Sequence, residues 1–111
     1  MTMAGYVPLE IEAYASFSRT IVVRNIDGSA QNLVGFTANS QMRRSFYSAS
    51  ANVITTTITD APNGQITMSM SSSDTGTLRP GRYVYDVITS GGGITQRMIE
   101  GIVVVSAGVT Q

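Results

Sequence analysis

Along most of the chain, apolar and polar residues alternate with a period of two, the mark of strands with one buried face. Leu9, Ile11 and Ala13 alternate with Glu10 and Glu12. Phe17, Ile21 and Val23 then share a face with Arg19, opposite Ser16, Ser18, Thr20, Val22 and Arg24. Arg19 on an apolar face fits a strand at a sheet edge, where its stem packs and its head reaches water. A third strand starts at Phe36, with Phe36, Ala38, Ser40 and Met42 on one side and Thr37, Asn39, Gln41 and Arg43 on the other. Residues 53–59 are dense in β-branched side chains, with Ile54, Thr56 and Ile58 on one face. After the turn Asp60-Ala61-Pro62-Asn63-Gly64, Ile66, Met68 and Met70 alternate with Thr67, Ser69 and Ser71. Tyr83, Tyr85 and Val87 oppose Val84, Asp86 and Ile88, and large apolar groups on both sides predict a central strand covered on much of both faces. The run 94–105 is the longest, and Gly101 inside it predicts a bulge.

Turn chemistry punctuates these runs. Asp27-Gly28 and the reversal Ser90-Gly91-Gly92-Gly93 mark hairpins, residues 45–52 read as a loop, and residues 71–76 read as a polar connection with a helical turn capped by Ser73 or Asp74. No helical period occurs. Seven to eight strands predict an all-β, antiparallel immunoglobulin-like β-sandwich forming a single domain over 1–111. Short arms at 1–6 and 106–111 are expected to be flexible. The methionines Met42, Met68, Met70 and Met98 fall at inward positions and are expected to fill the core.

Only 13% of residues are charged, against 42% hydrophobic, so much of the surface must be Ser, Thr, Asn, Gln and Gly. Seven basic residues balance seven acidic ones, which argues against nucleic acid or an anionic membrane as a partner. A neutral surface of this kind offers little repulsion against self-association. Neither a secretory leader nor an apolar run of ~20 residues is present, so synthesis in a cytoplasm is expected.

Candidate chemistry is sparse. The chain has no Cys and no His, the usual providers of nucleophiles, general bases and metal ligands near neutral pH. Glu10 and Glu12 share a strand face, where solvation explains them better than a catalytic pair. Asp27, Asp60 and Asp74 lie in turns, where carboxylates bond backbone amides, and no calcium-loop spacing occurs. Gly91 to Gly93 lacks the following Lys or Ser/Thr of a phosphate loop. Asp86 on a central strand needs a partner, and Arg97 on the facing strand is the candidate. No enzymatic activity, cofactor, metal or small-molecule substrate is therefore expected. One cluster has interface chemistry: Arg43 and Arg44 followed by Phe46 and Tyr47. The competing reading is that Phe46 caps the open end of the sandwich while the arginines are solvated.

The stretch Leu78, Pro80, Gly81 and Tyr83 resembles the corner by which many immunoglobulin-like sandwiches enter a core strand, with Tyr83 bonding back to upstream backbone. More broadly, Phe17-Ser18-Arg19-Thr20-Ile21, Leu33-Val34-Gly35-Phe36-Thr37-Ala38, Thr59-Asp60-Ala61-Pro62-Asn63-Gly64, Leu78 to Asp86 and Glu100-Gly101 resemble small immunoglobulin-like domains of tailed-bacteriophage virion proteins. The layout is similar to the N-terminal domain of baseplate upper proteins. The resemblance implies a non-enzymatic virion protein that docks other virion proteins in multiple copies, as an adaptor or accessory subunit on the tail or baseplate. It leaves open capsid decoration on the head surface. A carbohydrate-binding or adhesin module is a further alternative, weakened by the absence of Trp.

Overall fold

In the computed structural model, residues 5–25, 27–44 and 52–107 are described. Among them are eight strands: β1 (Gly5–Tyr6), β2 (Leu9–Glu12), β3 (Phe17–Val22), β4 (Thr37–Arg43), β5 (Asn52–Asp60), β6 (Gln65–Met70), β7 (Gly81–Gly91) and β8 (Ile94–Ser106). A one-turn helix, α1 (Ser72–Thr75), links β6 to the corner before β7. The spatial order is β1-β8-β7-β4-β5-β6-β3, with β2 also beside β8.

This arrangement is one strongly curled mixed sheet, a half-barrel, rather than two clearly separate antiparallel layers. Two features account for the departure from the expected sandwich. β5 is shared: Asn52 to Ile54 pair with β4, and from Thr55 onward it pairs with β6, so the ladder runs through without a break. In addition, β1 and β2 run parallel to β8, a direction that side-chain periodicity does not encode.

The alternating residues meet inside the curl. Ile54, Ile66, Met68, Val87 and Val103 are buried, as are Met42, Met70 and Met98. Gly92 and Gly93, at φ 57° and 79°, form the two-residue β7–β8 turn whose twist matches that of the flanking strands. Asp60 to Gly64 closes the β5–β6 connection through a 3-10 turn, with Gly64 in the left-handed region.

Several local expectations need correction. The bulge in β8 lies at Met98, since Val87 pairs with Ile99 and Ile88 with Arg97. Gly101 instead sits in regular register opposite Tyr85. A Cβ there would run into the Val7 carbonyl oxygen, so glycine is needed for close backbone approach. The cap of α1 is Ser71, whose hydroxyl accepts the Asp74 N–H at 3.2 Å. In the expected N-terminal arm, Gly5 and Tyr6 form β1 on β8, while residues 1–4 lie outside the described residues. In the C-terminal arm, Ser106 ends β8 and residues 108–111 lie outside them.

Candidate interaction surface

The corner before β7 is built from backbone constraint. Leu78 is buried, its N–H donating to Thr75 C=O at 3.1 Å. Gly81 takes φ 137°, which a side chain rarely permits. Tyr83 folds back and its hydroxyl donates to the Arg79 carbonyl at 2.9 Å. Arg44 belongs to the same assembly: its guanidinium lies 4.9 Å from the centre of the Tyr83 ring and passes over Gly81. That stacking was not apparent from sequence, because 39 residues separate the partners. It also divides the expected interface cluster. Strand alternation sends Arg43 to the outer face and Arg44 to the rim of the core. Phe46 and Tyr47 lie outside the described residues.

Arg43 joins a different set. Its Nη2 donates to Gln41 Oε1 at 3.1 Å. Directly paired residues share a sheet face, so the register places Tyr6, Glu100, Asp86 and Gln41 in one cross-strand row and Ile102, Val84 and Arg43 in the next. The Met98 bulge turns both Met98 and Ile99 inward, which brings Arg97 onto the outer face with Asp86 and Glu100. Arg97 Nε lies 3.2 Å from Asp86 Oδ2, and Arg97 Nη1 lies 3.9 Å from Glu100 Oε2. With Arg97 51% exposed, this network orients charge more than it stabilises the fold.

A cleft of about 250 Å³ opens here, lined by Gln41, Arg43, Val84, Asp86, Ile88 and Arg97 among others. Val84, Ile88 and Ile102 are half-buried and Val104 is exposed. Apolar centre and charged rim together make the composition of a protein interface. The sequence signal was visible as apolar residues on both faces of β7. Central placement between β8 and β4 is observed, but among the described residues no element covers the second face.

The other wing of the sheet has a contrasting outer face. Ser18, Ser69 and Thr55 form one cross-strand row, and Thr20, Thr67 and Thr57 the next. Thr20 and Thr67 hydroxyls lie 2.9 Å apart, and those of Thr59 and Thr67 lie 3.3 Å apart.

Titratable groups have structural settings. Asp27 Oδ1 accepts the Ser29 hydroxyl at 2.6 Å and the Ser29 N–H at 2.9 Å, and these bonds hold its carboxyl below the usual carboxylate range. Burial pushes the Tyr85 phenol up to about 12, opposed in part by the Arg19 guanidinium. Its hydroxyl donates to the Val7 carbonyl, beside Gly101. Glu10 and Glu12 are solvated on β2. Among the described residues no group of three or more acidic side chains is placed to hold a metal ion, and no helix is long and apolar enough to cross a membrane.

No protein-family model matches the sequence, and no curated protein matches it by sequence. Solved structures that share the fold include the following two. The N-terminal domain of phage TP901-1 ORF48 aligns with 96% of this chain and 99% of that one, at a TM-score of 0.55 and 15% identity. InlP of Listeria monocytogenes aligns with 95% of this chain at a TM-score of 0.55 and 17% identity. This chain spans only 28% of the InlP chain. At such identities the likeness is one of fold.

Proposed function

We propose that the chain is a non-enzymatic structural protein of a tailed-bacteriophage virion, an adaptor or accessory subunit that docks on the tail or baseplate in multiple copies. In the finer structural reading, β8-β7-β4 and β3-β6-β5 act as the two walls of an immunoglobulin-like domain. The observation that carries the proposal is the end-to-end alignment with a phage domain of matching extent, 96% of one chain against 99% of the other. The outer face of β4, β7 and β8 supports it, since an apolar centre rimmed by Arg43, Asp86, Arg97 and Glu100 suits a protein partner. Its charges of both signs suit neither nucleic acid nor an anionic membrane.

The test is incorporation. Particles carrying a tagged copy of the chain are purified by density gradient, and heads are separated from tails. A fixed number of several copies with the tail fraction is the expected result. Chain that stays in the soluble fraction overturns a virion role, and chain found only on heads replaces the adaptor reading with capsid decoration.

A further inference from the structure

We propose that the free edge of β3 pairs with β3 of a second copy of this chain, antiparallel, about a two-fold axis at Thr20. β2 and β3 are consecutive, yet they end the curled sheet on opposite sides: β2 pairs with β8 and β3 with β6. Among the described residues no ladder joins them across the seam. A cleft of about 580 Å³, lined by Pro8, Glu10, Ser16, Phe17, Ser18 and Arg19, opens along the first half of β3.

The direction of the backbone groups follows from register. Val23 N–H donates to Gly64 C=O at 2.9 Å, and inward and outward residues alternate along an antiparallel strand. Arg19 and Ile21 therefore turn their peptide groups toward β6, while Ser18, Thr20 and Val22 turn theirs to the open edge. A two-fold axis at Thr20 sets Thr20 against Thr20 and Ser18 against Val22. Every outward N–H and C=O in the strand then gains a partner.

Three observations favour a second copy over a foreign strand. Phe17–Val22 contains no Pro and no bulge, two of the usual blocks on edge pairing, and its one charge is Arg19. Arg19 and Glu10 line the same cleft with no ion pair between them among the described residues, and a second copy carries the same two opposite charges. Finally, Thr20 already meets one threonine hydroxyl on its own sheet at 2.9 Å, and the pairing extends that ladder into a second copy. The pairing stands independently of the docking role proposed above.

The test uses the full chain. Light scattering from ~1 μM to ~1 mM is expected to show mass rising from 11.8 kDa to twice that value. Hydrogen exchange read by NMR is expected to show Ser18, Thr20 and Val22 amides becoming protected as concentration rises, with Arg19 and Ile21 protected throughout. Thr20→Pro removes an outward N–H and leaves the β6 ladder intact. It should keep the thermal midpoint close to the native value and weaken the dimer by about 30-fold, the effect of two lost backbone hydrogen bonds. Should Thr20→Pro fail to fold, the amide pattern in the native chain decides alone. A native chain that stays monomeric throughout overturns the proposal, as does a dimer in which those three amides gain no protection. Protection that appears only when purified particles are added overturns it in favour of a partner's strand.

Discussion

The two outer faces of the curled sheet cover the same core and differ in almost everything else. On β4, β7 and β8 the solvent side carries Val84, Ile88 and Ile102 among arginines and carboxylates. On β3, β5 and β6 the two central three-strand rows carry hydroxyls and no charge, and Asp60 stands at the end beside Gln65. One face has side chains suited to specific recognition, whereas the other ends in an open backbone edge. The lesson is that a small neutral domain can separate two kinds of contact, one driven by side chains and one by peptide groups, on opposite wings of a single sheet.

The largest effect that separates the wings is expected at Gly101, where the β7–β8 wing meets the N-terminal strands. Gly101→Val drives a side chain into the Val7 carbonyl and should destabilise the fold by ~3 kcal/mol or more in urea denaturation. Gly28→Ala, in open space at φ 91°, should cost only about 1 kcal/mol. If the docking face is as assigned, Val84→Asp with Ile102→Asp should lower affinity for tail particles by about 100-fold in a pull-down titration. Thr57→Asp with Ser69→Asp on the hydroxyl face should leave that affinity unchanged, and equal losses from both pairs would erase the distinction.

Smaller effects sharpen it. The unfolded Tyr85 phenol ionises near 10 and the folded one at about 12, so above pH 10 the unfolded state loses its proton first. Stability should be intact below pH 10 and fall as pH rises toward 12. Tyr85→Phe should flatten that slope in denaturation curves taken at pH 9 and pH 11. Smallest of all, Arg97→Ala should change stability by about 0.5 kcal/mol or less, because its ion pairs are solvated. A loss of several kcal/mol in urea would mean that the charged rim holds the fold together.

The sequence was enough for most of the strands, their inward faces and their turns, because period-two burial and turn chemistry are local properties of consecutive residues. The inward positions of Met42, Ile54, Met68 and Val87, the Asp86–Arg97 pair and the Gly92-Gly93 reversal were all legible on that basis. The same reading missed β1, taken as part of a flexible arm, and put the β8 bulge at Gly101 rather than Met98. Tertiary structure decided what depends on partners distant in the chain. Pairing direction made β1 and β2 parallel to β8, and the shared strand β5 merged the expected layers into one curl. The approach of Val7 explained Gly101, and Arg44 was carried onto Tyr83 and away from Arg43. The second apolar face of β7 was present in the sequence as well. Whether it was buried or open to a partner depended on which elements lay across it, and periodicity carries no information about what lies beyond the strand itself.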